Sequence, residues 1–259
     1  MPTTGVTRNI AFVSAPHPAE HDKVAVHLPA TFDPTAPFLL CVFLHGMGGE
    51  VPFEDHIQRA IDQIEACSAN ALLVAPRFGP GVRPGTFENS TGFSAFVAEV
   101  QAELTAAGIT AASSAPIVLA AFSGGWRPLK AVLQGLQGPG NPLADRLCGI
   151  LLLDSVYGPQ SSAEIIAWQQ SRRAQTALLS IYGRDTAQDG KASNLALKEV
   201  LEKAGPVLTP ASWSELKEFP PGTVAFFEVP TPHMDIVNDG PPPGPIASFL
   251  SLMRGRLSD

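Results

Sequence analysis

Short, continuously apolar runs recur along this chain, and most stop at a residue that can do chemistry. Phe38-Leu39-Leu40-Cys41-Val42-Phe43-Leu44 leads into His45-Gly46, and Ile117-Val118-Leu119-Ala120-Ala121-Phe122 leads into Ser123. Ile150-Leu151-Leu152-Leu153 leads into Asp154, and Ala177 to Gly183 is followed at once by Arg184-Asp185. Ala71 to Pro76 and Val224 to Val229 are two further runs, the last shortly before His233. These runs are far shorter than the roughly 20 residues of a membrane-spanning helix. They also lack the polar alternate positions of a half-exposed strand. They fit strands buried on both faces, as in a parallel sheet covered by helices.

Helical patterns lie between the runs. Phe53 to Cys67 carries Ile57, Ile61 and Ile64 on one face, and Phe93, Phe96, Val97, Val100 and Leu104 recur with helical spacing. Trp126–Leu136, Leu195–Ala204 and about Ile246–Arg256 are expected helices. Val24 to Leu28 alternates and reads as an early antiparallel strand. Strand and helix alternation of this kind predicts an α/β fold, a three-layer sandwich with a mostly parallel central sheet. No internal repeat or low-complexity linker interrupts it, so one domain over residues 1–259 is expected. The stretch between Asp154 and Ala177 is too short for a large cap, though Gln160 to Arg173 could lay one helix over a site.

Composition narrows the function classes. With 45% hydrophobic and 16% charged residues, the 259-residue chain can bury a large core. A formal net charge of −7 disfavours nucleic acid, which requires a basic surface. No apolar run is long enough for a membrane span, and the N-terminus does not read as a signal peptide. Three cysteines with no CxxC spacing read as reduced core thiols, which implies a cytoplasmic setting. His17-Pro18-Ala19-Glu20-His21 spells the H-x-x-E-H zinc pattern, but Pro16 and Pro18 oppose the helix that pattern needs, so no metal is expected. Nothing resembles a nucleotide-binding glycine loop.

In parallel sheets the chemistry collects at the carboxyl ends of strands. His45, Ser123, Asp154, Asp185 and His233 all fall there. Ala121-Phe122-Ser123-Gly124-Gly125 joins a buried strand to a helix, a variant of the G-x-S-x-G turn that exposes a nucleophilic serine. A serine hydroxyl needs a base to take its proton, and His233 follows the last strand. Asp154 or Asp185 could orient that histidine, and the sequence leaves both open. His45-Gly46-Met47-Gly48-Gly49 is glycine-rich at a strand end, so the backbone N–H groups of Met47 and Gly124 are the expected oxyanion donors. His45 is expected to brace this loop rather than act as a second base. His45, Gly46, Trp126, Tyr157 and Trp168 are the candidate substrate contacts, and Phe78 and Phe87 on the glycine/proline-rich loop could also line an acyl pocket.

On these three segments the chain resembles the α/β-hydrolase family over nearly its whole length. The resemblance implies a mostly parallel eight-stranded sheet, an acyl-enzyme intermediate and no cofactor. The implied substrate is a small acyl compound, a carboxylic ester first, with amide, thioester or lactone open to the same residues. A ligand-binding protein on the same scaffold is the alternative from another class.

Overall fold

The computed structural model describes residues 4–47, 52–138, 141–184, 186, 188–238 and 244–257. The strands are β1 (Val6–Ala11), β2 (Lys23–Leu28), β3 (Leu39–Leu44), β4 (Ala71–Pro76), β5 (Ile117–Phe122), β6 (Leu147–Leu153), β7 (Ala177–Gly183) and β8 (Val224–Val229). The helices are α1 (Phe53–Glu65), α2 (Gly92–Ala106), α3 (Trp126–Leu136), α4 (Pro142–Arg146), α5 (Pro159–Arg172), α6 (Gln188–Ala204) and α7 (Pro245–Leu252).

All eight strands form one sheet in the order β1-β2-β4-β3-β5-β6-β7-β8. β2 pairs antiparallel with both β1 and β4, and every pairing from β4 to β8 is parallel. The apolar runs account for this arrangement. Along β3, Leu40, Val42 and Leu44 enter one core while Leu39, Cys41 and Phe43 enter the other. β5 divides in the same way, with Leu119 and Ala121 on one face and Ala120 and Phe122 on the opposite one. A strand buried on both faces cannot alternate with polar residues, because neither side meets water. Helices α2, α3, α5 and α6 cover the first face through Phe96, Leu133, Ile165 and Leu201. Helices α1 and α7 cover the second through Ile61, Ile64, Phe249 and Leu250.

Chain direction across the sheet reverses at β3, which lies between β4 and β5. The loops leaving β3 and β5 therefore diverge and leave a crevice at their carboxyl ends. Gly46 stands so near the β5 turn that an added Cβ would lie 2.9 Å from both Phe122 and Ser123. The expected fold class holds. The helix expected from Leu195 begins seven positions earlier, at Gln188. The final helix ends at Leu252, and Arg254–Leu257 forms a separate 3-10 turn. No helix among the described residues is long and apolar enough to cross a membrane.

Candidate active site

Ser123 follows β5 directly with φ +49°, a left-handed conformation that costs a non-glycine residue about 1–2 kcal/mol. The neighbouring glycines make the turn possible. A Cβ on Gly125 would strike the carbonyl oxygen of Leu44 at 2.2 Å, and one on Gly124 would meet the Met47 side chain at 2.8 Å. The turn tolerates Ala121 in the position where the motif has glycine. That residue is the penultimate one of β5, paired with Leu44 and buried on the face opposite Phe122.

His233 opens a 3-10 turn four residues beyond β8. Its Nε2 lies 2.8 Å from Ser123 Oγ, and its Nδ1 lies 2.7 Å from Asp154 Oδ2. Phe122 stacks on the imidazole at 5.3 Å and 22°, which fixes the plane of the ring. Asp154 is 1% exposed and also lies in the left-handed region, at φ +46°. Its N–H donates to Ile181 at 2.7 Å, and Thr186 Oγ1 donates to its Oδ2 at 2.7 Å. The structure thus brings together Ser123, His233 and Asp154. Asp185, the other candidate acid, lies outside the described residues.

Residues distant in sequence hold His233 in place. From α1, Arg59 Nη1 donates to the Met234 carbonyl at 2.8 Å, and buried Gln63 donates to the Val237 carbonyl at 2.5 Å. Gln63 also accepts from Ile246 N–H at 2.8 Å, so it ties the His233 turn to α7. Sequence reading missed Arg59, Gln63 and Thr186. Only the three-dimensional contact marks them, because a polar residue on an amphipathic helix ordinarily reads as its solvent face.

The loop after β3 supplies the other wall. His45 is buried, and its ring braces the loop from within rather than facing a substrate. Phe78 N–H donates to His45 Nε2 at 3.0 Å, so that nitrogen carries no proton. His45 Nδ1–H then donates to the Gly46 carbonyl at 2.7 Å, which fixes a neutral tautomer. Desolvation pushes the His45 pKa down to about 4. This histidine stays neutral in the fold but charges readily in the unfolded chain. The unfolded state therefore binds more protons between pH 6.5 and 4, and stability falls as pH drops through that window. The loss attributable to His45 is expected to be about 3 kcal/mol. Chemical denaturation at pH 7.5 and 4.5 measures it. Buried His27 and His56, also pushed down by desolvation, add to the measured difference; His45→Gln should remove about 3 kcal/mol of it, and an unchanged pH dependence would reject this role.

Met47 is the last described residue of the loop, and Gly48 and Gly49 lie outside the described residues. The Met47 N–H donates to no acceptor among the described residues. A Cβ on Gly124 would come within 3.2 Å of the Met47 nitrogen and 3.1 Å of the Val82 side chain, so the Met47 and Gly124 backbones converge beside Ser123. Val82 is the third non-glycine residue with positive φ among the described residues, at +55°. Ser123 and Asp154 hold His233 between them and the Val82 side chain packs at the neighbouring Gly124, and strained backbone of this kind concentrates at functional sites.

The aromatic candidates divide. The Tyr157 hydroxyl lies 3.2 Å from His233 Nδ1. Trp126 is half-buried beneath the Arg127 guanidinium at the start of α3. Trp168 is a correction. It is fully buried under α5, where its indole N–H donates to Thr176 at 3.1 Å, and it cannot touch a ligand. Phe78 and Phe87 are also core residues, packed edge-on to each other at 5.9 Å. His17, from the zinc-like pattern, has its Nε2 at 2.8 Å from the Arg83 carbonyl.

No protein-family model matches this chain, and no curated protein matches it by sequence. Solved structures do match. The chain covers 98% of itself and 97% of a carboxylesterase described as putative from Lactobacillus plantarum WCFS1, at 11% identity and TM-score 0.54. A poly(3-hydroxybutyrate) depolymerase, LpqC from Bordetella parapertussis, matches at 13% identity and TM-score 0.54, over 98% of this chain and 94% of its own. The carboxylesterase Cest-2923 from Lactobacillus plantarum WCFS1 matches at 12% identity and TM-score 0.54, over 98% and 95%. The chain has the α/β-hydrolase fold. It spans only 62% of a matched uncharacterised protein from Capnocytophaga ochracea DSM 7271 and 60% of a matched thermostable esterase. At these identities the likeness shows the fold, and the α/β-hydrolase scaffold hosts more than one chemistry.

Proposed function

We propose that this α/β-hydrolase-fold protein is a serine hydrolase of carboxylic esters that works through an acyl-enzyme intermediate. One observation carries the reading. Ser123 Oγ, both ring nitrogens of His233 and the buried Asp154 carboxylate form one chain of contacts at 2.8 and 2.7 Å. A serine bound in this way is an activated nucleophile, and the arrangement has no evident structural purpose that would justify two strained backbones.

The mechanism follows from the geometry. Asp154 accepts from His233 Nδ1–H and leaves Nε2 free to take a proton. Ser123 Oγ attacks the ester carbonyl as its proton passes to Nε2. The N–H groups of Met47 and Gly124 receive the oxygen that becomes negative. Imidazolium Nε2–H then protonates the departing alkoxide, and the C–O bond breaks to leave the acyl group on Ser123. Water attacks that acyl-enzyme, loses its proton to Nε2, and releases the acid with the serine restored. The substrate is a small acyl compound. Three free, buried cysteines accord with a reducing cytoplasmic setting.

Partitioning tests the intermediate. Acetate esters with different leaving groups, hydrolysed in the presence of methanol, should give one constant ratio of methyl acetate to acetate. All of them share the same acyl-enzyme. A ratio that varied with the leaving group would reject an acyl-enzyme, and turnover that persisted in His233→Ala at the wild-type rate would reject the base.

A further inference from the structure

The candidate site has a neighbour that the mechanism above does not use. A groove of about 880 Å³ runs between α5 and α6, walled by Ala163 and Ile166 on one side and by Ala196, Leu197 and Val200 on the other. Its twelve lining residues include no Asp, Glu, Lys or Arg. That is notable on a chain of net charge −7, whose exposed helix faces elsewhere carry ion pairs such as Lys198–Glu202.

Tyr157 joins the groove to the chemistry. Tyr157 lines the groove, and its hydroxyl lies 3.2 Å from His233 Nδ1. The ring meets the imidazole edge-on, at 6.1 Å and 84°. Gly190 makes room for it, since a Cβ there would stand 3.2 Å from the Tyr157 ring. The joint is fixed to both helices. Tyr157 N–H donates to Ser161 of α5 at 2.7 Å, and Gly158 N–H donates to Ser193 of α6 at 2.6 Å. The groove therefore begins one residue away from the reacting groups, at Tyr157, whose backbone and neighbour are held by both helices.

We infer that this groove holds an uncharged aliphatic arm of the ester, so that the protein prefers substrates of medium chain length to acetates. The inference rests on the proposed serine hydrolase activity. Its physical basis is apolar burial. A fully buried methylene contributes about fourfold to affinity, and about twofold is expected in a groove open along one side. The small side chains are the selective feature. Ala163 and Ala196 leave the space that a chain would occupy, and both are exposed helix positions where a large residue does not disturb the core.

The experiment compares kcat/KM within two series, on wild type, Ala163→Trp, Ala196→Trp and Glu199→Trp. One series lengthens the acid, from p-nitrophenyl acetate to p-nitrophenyl octanoate. The other lengthens the alcohol, from ethyl acetate to octyl acetate. Wild type should prefer the eight-carbon member of one series by on the order of tenfold or more. Either alanine-to-tryptophan variant should collapse that ratio towards one. Glu199→Trp, on α6 but outside the groove, should keep it. The series that responds identifies the arm as acyl or alkyl. If ester turnover is intact but no variant alters either ratio, the groove is not a binding site and the inference falls alone. If wild type hydrolyses no ester and a fluorophosphonate leaves Ser123 unmodified, the proposed function falls and the inference with it.

Discussion

Ser123→Ala and Ser123→Gly are expected to lose ester hydrolysis alike, by on the order of 10⁵- to 10⁶-fold in kcat, yet to differ in stability. Both remove the nucleophile and its contact with His233 Nε2. Only glycine relieves the left-handed backbone at φ +49°. The glycine variant should therefore be more stable than the alanine variant by about 1 kcal/mol. Elsewhere in a helix or strand the order would be reversed, because glycine has more conformational freedom to lose. Paired denaturation curves measure the difference. Equal stabilities, or a more stable alanine variant, would show that the turn is not strained.

Asp154→Asn is the second large effect. An amide at this position presents a donor to His233 Nδ1 and favours the tautomer with its proton on Nε2. That tautomer cannot accept the Ser123 proton. A loss of on the order of 10⁴-fold in kcat is expected. The fold should survive, because asparagine tolerates a φ of +46° and the Thr186 hydroxyl, which meets the same side-chain atom as His233 Nδ1, can turn to accept from the amide. Asp185→Asn should stay within about threefold of wild type. If Asp185→Asn proved the crippling substitution and Asp154→Asn the mild one, the assignment of the acid would be reversed.

These expectations mark where the sequence is readable. The parallel sheet was legible because apolar runs such as Phe38–Leu44 are sandwiched between two helix layers, where neither face meets water and no polar alternation survives. Ser123 and His233 were legible because each stands alone at a strand end with few competitors. The acid was not, since Asp154 and Asp185 follow adjacent strands, and what favours Asp154 is its contact with His233, which no local pattern encodes. Val6–Ala11 went unread because it is an edge strand with mostly exposed residues and no apolar pattern. The first turns of α6 went unread because Gln188 to Asn194 carries no apolar residue but Ala192. Trp168, Phe78 and Phe87 lie near the site in sequence, but large aromatics beside a buried sheet turn inward to the core. Arg59 and Gln63 hold His233 from about 175 positions away, a relation that no local pattern encodes.

The most direct test of the account is the intact mass of the protein after incubation with a fluorophosphonate, with the adduct located by peptide mapping. A single phosphonyl group on Ser123 is predicted for wild type, with slower labelling in Asp154→Asn and none in Ser123→Ala. Folded wild type that takes up no phosphonyl group, or an adduct that persists in Ser123→Ala, would contradict the claim that Ser123, His233 and Asp154 form an active nucleophile.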